Sequence, residues 1–239
     1  MRTALVLGGG GMFGAYQAGA WIVLSEHWQP DIVVGASIGA VNGWAIAAGL
    51  VASDWVRQWK EPGEIARHRW RFPRSIWDGI LDARPFERYV RNLTERCSPR
   101  CDYGLVVTEL RPLSPRLYVW PELNWRHVVA SCSLPGVYPQ QRIGARRSGD
   151  GGLLGALPVW AAAELGATHI LGIGLLGTGP AWRGARPPGV KTAVLEPSHR
   201  LGGYREMMLW SDVRVEQFLQ LGAEEARQNI SRLLRFESQ

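Results

Sequence analysis

Two apolar runs of strand length open this chain, and each breaks at glycine straight into a stretch of helix length. Thr3-Ala-Leu-Val-Leu-Gly8 passes through a glycine run, Gly8 to Gly11, into a segment over 14–26 that reads as a helix. Asp31-Ile-Val-Val-Gly35 passes through Ala36 and Ser37 into small apolar residues over 38–49, which read as a buried helix. Runs without polar alternation fit strands covered on both faces, as inside a parallel sheet. Parallel neighbours in turn need a crossover, usually a helix, to join them. Strand, helix, strand, helix in succession therefore predicts an α/β fold: a three-layer α/β/α sandwich around a mostly parallel central sheet. At 239 residues, 46% of them hydrophobic and 20% charged, the chain fits one such domain, 1–239, with ample material for a core.

Beyond residue 50 the pattern changes. Residues 51–100 mix Trp55, Trp59, Trp70 and Trp77 with Arg57, Arg67, Arg69, Arg71 and Arg74. They read as short helices, forming either a cap over a site or an amphipathic layer on the sheet. Residues 103–109 and 116–120 read as strands joined by a Pro-rich turn, 124–131 as a helix, and 168–175 and 190–195 as strands. The Gly/Pro-rich stretch 178–189 reads as a loop. The apolar spacing over 204–235 reads as a C-terminal helix that packs on the core and carries no chemistry. No apolar run approaches the roughly eighteen residues of a membrane span, and no secretory leader is legible, so the expected location is the cytoplasm. Cys97, Cys101 and Cys132 are odd in number and suggest neither a disulfide framework nor a zinc site. The net charge of +6 rests almost wholly on arginine. It suits an anionic lipid surface, or reflects compositional bias alone. Nucleic acid is not expected, because no reading motif accompanies the charge.

Three constellations carry chemistry. Gly35-Ala-Ser37-Ile-Gly39 reads G-x-S-x-G between an apolar strand and an apolar helix, the setting of a nucleophile elbow. There the positive end of the helix dipole faces the serine; the plainer reading is an N-cap serine on a tight turn. Gly8-Gly-Gly-Gly11-Met12-Phe13-Gly14 exposes backbone N–H groups at a helix start, which suits an anion. The same run also fits G-x-G-x-x-G, but a dinucleotide fold needs an acidic residue at the end of the second strand. Asp31 begins that strand instead. Gly149-Asp150-Gly151-Gly152 places one carboxylate among glycines, a common turn by itself.

Taken together and in order, Leu7–Gly19, Gly35–Gly39 and Asp150-Gly-Gly152 resemble the glycine-rich loop, serine elbow and Asp-Gly-Gly/Ala motif of the patatin-like phospholipase family. Cys132–Pro139 resembles the family's segment ahead of the aspartate, and Asp150–Pro158 the one around it, so the resemblance covers roughly residues 3–175. It implies a Ser–Asp dyad without histidine. Ser37 would be the nucleophile, and Asp150 would take its proton and later activate water. The N–H groups of Gly10, Gly11 and Met12 would form the oxyanion hole, and an acyl-enzyme would form at Ser37. Gly9, Gly14, Gly35, Gly39, Gly151 and Gly152 are the remaining motif glycines. A lipid or ester substrate is implied, with peripheral membrane contact through 51–77, and neither metal nor organic cofactor. The chain departs from the family at Phe13, where Arg or Lys is usual; the change would weaken contact with an anionic head group or remove an ion pair. Two alternatives stand beside this reading: an α/β-hydrolase esterase with a Ser–His–Asp triad, for which His199 is the one late histidine, and a non-catalytic lipid-binding protein.

Overall fold

The computed structural model describes residues 1–66, 69–177 and 188–235. Arg67, His68 and most of the expected loop, 178–187, lie outside them. Five strands, β1 (Thr3–Leu7), β2 (Ile32–Ala36), β3 (Asp102–Leu110), β7 (His169–Ile173) and β8 (Lys191–Leu195), run parallel in neighbouring pairs. Three more, β4 (Leu113–Val119), β5 (Gln141–Ile143) and β6 (Arg146–Gly149), join antiparallel. The sheet order is β5-β6-β3-β2-β1-β7-β8, with β4 on β3.

Apolar residues alternate between the two faces of the inner strands. Leu5, Leu7 and Val33 enter one core, under α1 (Gly14–Leu24), α2 (Ile38–Ala47), α3 (Ala52–Lys60), α5 (Trp125–Ser131) and α8 (Asp212–Leu233). Ala4, Val6, Ile32 and Val34 enter the other, under α6 (Val159–Glu164). That is the expected α/β/α layering, and it explains the unbroken apolar runs. The α1–α8 contact is backbone against backbone. A Cβ on Gly19 would collide with the Leu219 carbonyl, and one on Gly222 with that of Tyr16. Among the described residues no helix is long and apolar enough to cross a membrane.

The structure departs from the sequence reading at 204–235, at the β5–β6 hairpin, at α6, and at 69–82, which is a loop within the stretch read as short helices. The segment 204–235 is two helices, α7 (Tyr204–Met208) and α8, because the chain extends at Leu209 and Ser211 before Ser211 caps the second helix. The β5–β6 hairpin and α6 went unread. The hairpin's Gln-Arg-Ile and Arg-Arg-Ser-Gly have no apolar alternation, and its pairing is decided by β3. The remaining helix of the Trp/Arg region, α4 (Arg84–Arg96), lies beside α5 and presents Val90 and Leu93 inward.

Candidate active site

The site forms where two strands abut. β2 runs along one edge of β3 as far as the pair Ala36–Val106. β6 comes up the same edge from the other direction as far as the pair Gly149–Thr108; the opposite edge is taken by β4. The residues that follow, Ser37 and Asp150, therefore meet head to head beside Val107. Ser37 Oγ donates to Asp150 Oδ2 at 2.6 Å, and both residues are buried.

Ser37 is held in a strained conformation, φ 54 and ψ −128, and is the one non-glycine residue with positive φ among those described. Such backbone costs on the order of 1–3 kcal/mol and persists only when its surroundings enforce it. Here the Ser37 amide donates to Ser131 Oγ at 2.9 Å, and that hydroxyl donates to the Val106 carbonyl at 2.7 Å. The Ser37 carbonyl accepts from the Ala40 amide in the first turn of α2. The flanking glycines are sterically required. A Cβ on Gly35 would strike the Gly39 carbonyl, and one on Gly39 the Leu7 carbonyl, so β1, elbow and α2 pass at backbone distance.

Asp150 is tied on every side. Its amide donates to the Ser133 carbonyl at 2.9 Å, its carbonyl accepts from Thr108 Oγ1 at 2.8 Å, and its Oδ1 accepts from the Gly152 amide at 2.8 Å. The Gly151 amide donates to the Ser131 carbonyl. Burial lifts the Asp150 carboxyl from its ordinary 3.8 to about 6, outweighing the hydrogen bonds from Ser37 and Gly152 that pull it down. Ser131 and Thr108 escaped the sequence reading, and Ser133 entered it only as part of the Cys132–Pro139 resemblance, with no role of its own. Two serines flanking Cys132 just ahead of Leu134-Pro135-Gly136 were the available signal.

The glycine loop lies opposite. The amides of Gly8 and Gly9 donate to the carbonyls of Ile173 and Ala156, and that of Phe13 returns to Gly10. Among the described residues no acceptor takes the amides of Gly10, Gly11 or Met12. These three residues line the same cavity as Ser37 and Asp150, as do Gly9 and Gly152. Gly14 begins α1 beneath the Ile38 side chain. A buried polar network backs the loop. Gln17 Nε2 donates to the Gly8 carbonyl at 2.8 Å, and Asn42 Nδ2 donates to Gln17 Oε1 and to the Gly14 carbonyl. Asn42 Oδ1 accepts both Trp55 Nε1 and Trp59 Nε1 at 3.0 Å. Neither Gln17 nor Asn42 stood out in the sequence, since each is a lone polar residue on an apolar helix.

The cavity measures about 340 Å³ and is chiefly apolar. Ile38, Trp59, Phe86, Met207, Met208 and Trp210 supply much of its wall, and Trp59 stacks on Trp210 with ring centroids 5.6 Å apart. The C-terminal segment expected only to pack thus builds part of the site. Phe13 points elsewhere: it is buried edge-on against Phe218 at 5.5 Å, so the position of the family's cation is filled by core packing on α8.

No histidine among the described residues lines the cavity. His199 is exposed beside Ser198 Oγ, and His127 serves the capping box of α5. Asp31 accepts from the Thr3 amide and hydroxyl at the start of β2, the far end of that strand from the glycine loop, which removes the geometry a ribose would need. Within 51–77, Trp55 and Trp59 are buried, and Trp77 lies under the guanidinium groups of Arg111 and Arg147. Of the four tryptophans, Trp70 alone is exposed.

Comparison with known proteins agrees with this architecture. Triacylglycerol lipase SDP1L of Arabidopsis thaliana is 28% identical over 178 residues, 62% of this chain and 21% of that one. Lysophospholipase NTE1 of Meyerozyma guilliermondii is 30% identical over 192 residues, 72% of this chain, and the NTE1 of Debaryomyces hansenii matches equally. The chain spans only 12% of either NTE1's length. In fold it is similar to the crystal structure of VipD from Legionella pneumophila, with a TM-score of 0.58 at 11% identity over 97% of this chain and 67% of that one. The patatin-like phospholipase family model matches residues 5–163, the stretch that holds the end of β1, the glycine loop, the elbow and Asp150, and the chain belongs to that family.

Proposed function

We propose that this protein is a serine lipid acyl hydrolase, a carboxylic ester hydrolase that works through a Ser37–Asp150 dyad. The observation that carries the reading is the 2.6 Å hydrogen bond from a strained serine to a buried carboxylate, both lining an apolar cavity. Asp150 takes the Ser37 proton as Oγ attacks the ester carbonyl. The charge that develops on the carbonyl oxygen is met by the amides of Gly10, Gly11 and Met12, aided by the positive end of α2. Collapse expels the alcohol, which receives the proton from Asp150, and leaves an acyl group on Ser37. Water then surrenders a proton to Asp150 and attacks the acyl carbon; the second collapse frees the acid and returns the proton to Ser37.

The apolar wall suits an acyl chain, which makes lysophospholipids and acylglycerols the substrate class proposed, in keeping with the names of the lipase and lysophospholipase relatives. A cytoplasmic location with peripheral membrane contact belongs to the same proposal. Hydrolysis of p-nitrophenyl butyrate tests the chemistry. Ser37→Ala and Asp150→Asn are each expected to lower kcat/KM by about 10³-fold or more, and His199→Ala to leave it unchanged, with folding checked by circular dichroism. Retained turnover in Ser37→Ala would sink the dyad.

A further inference from the structure

Residues 69–76 are exposed without interruption, and three of them are large and apolar: Trp70 is 72% exposed, Phe72 96% and Ile76 79%. A water-facing loop has no use for three such side chains in seven residues. The loop is nonetheless firmly built. Its ends are tied by the Arg71 amide to the Ile80 carbonyl at 2.8 Å and the Asp82 amide to the Arg69 carbonyl at 2.8 Å, with Trp70 bridged to Leu81. Trp77 anchors it through the guanidinium groups of Arg111 and Arg147, at 5.3 and 4.7 Å from the ring.

The loop is also continuous with the cavity wall. The amides of Ile80 and Leu81 donate to the carbonyls of Gly136 and Val137, and the Gln140 amide donates to the Trp77 carbonyl. Tyr138, between them, lines the cavity. Leu153 and Tyr204 both line it and reach the surface, at 38% and 59% exposure. Arg69, Arg71 and Arg74 alternate with the apolar side chains and are exposed. The two acids of the loop itself are engaged: Asp82 with Arg84, and Asp78 with the Arg74 amide and, at 3.9 Å, with Arg71. Aromatic and aliphatic tips interleaved with arginine match an anionic lipid interface, where rings sit at head-group depth and guanidinium groups meet phosphate.

We propose that the loop 69–82 is a membrane-docking element that seats Trp70, Phe72 and Ile76 in the interface of an anionic bilayer and so brings the cavity mouth against lipid. The consequence for turnover rests on the hydrolase reading above; the docking itself does not. Binding is therefore measured on Ser37→Ala protein, by co-sedimentation with vesicles of phosphatidylcholine alone and of phosphatidylcholine mixed with phosphatidylglycerol. Binding is expected to the mixed vesicles, to weaken with salt, and to be slight on phosphatidylcholine. Phe72→Asp, at a side chain that touches almost nothing, is expected to weaken it at least about tenfold. Arg69→Gln and Arg74→Gln are each expected to weaken it roughly fivefold. In the Ser37 background, Phe72→Asp is expected to leave p-nitrophenyl butyrate turnover unchanged and to depress hydrolysis of lysophospholipid held in mixed vesicles. The idea is overturned if the Ser37→Ala protein binds neither vesicle, or if Phe72→Asp and the combined Trp70→Ala, Phe72→Ala, Ile76→Ala variant bind as tightly as it does. It is equally overturned if Phe72→Asp instead splits a dimer in size-exclusion chromatography, which would assign the loop to a second copy of the chain. Vesicle binding without any ester turnover in the wild type would leave docking standing and remove the hydrolase reading.

Discussion

Burial and ionisation compete at Asp150. The carboxyl is enclosed, which favours its neutral form, yet the proposed chemistry needs the anion to take the Ser37 proton. With its pKa lifted to about 6, kcat/KM for an uncharged ester is expected to fall about tenfold per pH unit below 6 and to level off above it. A stopped assay between pH 4.5 and 8 checks this, and a profile flat to pH 4.5 would remove Asp150 as the base. The same shift carries a stability consequence. The folded carboxyl keeps its proton up to about pH 6, whereas the unfolded one releases it near 3.8, so the folded state binds more protons in that window. Stability contributed by the neutral form is present below it and is lost as pH rises through it, by about 3 kcal/mol at most. Asp150→Asn is therefore expected to be more stable than wild type at pH 8 by about 1–2 kcal/mol, with the gap closing near pH 4; thermal melts at the two pH values measure it.

Among the elements, the polar network at Asn42 ties the glycine loop and the start of α1 to α2. Asn42 satisfies the Gly14 carbonyl, Gln17 and two tryptophan N–H groups, and Gln17 passes the constraint on to Gly8. Replacing Asn42 with Leu would strand several buried polar groups at once, at about 1–3 kcal/mol for each one left unpaired. Asn42→Leu is expected to lose about 3–5 kcal/mol in urea titration and to lower kcat/KM through the displaced loop. Loss of stability without loss of activity in the folded fraction would show that the network packs the core but does not position the loop. The elbow behaves differently, since its glycines answer to backbone contacts and Ser131 supplies the one side-chain bond to the Ser37 amide.

At the scale of the whole molecule, the site is assembled from both ends of the chain. Met12 accepts the Ser211 amide on its sulfur at 3.2 Å, and Trp210 stacks on Trp59, so the turn between α7 and α8 closes a cavity whose glycine loop and Ser37 come far earlier in the sequence. Trp210→Ala is expected to widen that cavity and shift preference toward longer acyl chains, by up to about fourfold in kcat/KM for each added methylene that finds room. A p-nitrophenyl ester series from butyrate to palmitate reads it; an unchanged chain-length profile would mean that Trp210 does not bound the acyl site.

Short-range sterics made the first fifty residues legible. An apolar run with glycine at its end can do little but enter a covered sheet and turn sharply, and G-x-S-x-G in that setting marks an elbow wherever the rest of the chain goes. The parallel sheet, α1, α2 and the place of Ser37 followed from such local rules. The partner of Ser37 did not: Asp150 reaches it because β6 ends on the edge of β3 where β2 ends, a coincidence of register between strands more than a hundred residues apart. The Asn42 network, the wall built by Met207, Met208 and Trp210, and the inward turn of Trp55 and Trp59 beside an outward Trp70 are long-range outcomes of the same kind. The sequence by itself determined where the backbone must bend and which residues must be covered. Only the tertiary structure decided which covered residues face one another, because that depends on the summed burial and pairing of the whole chain and on no single segment of it.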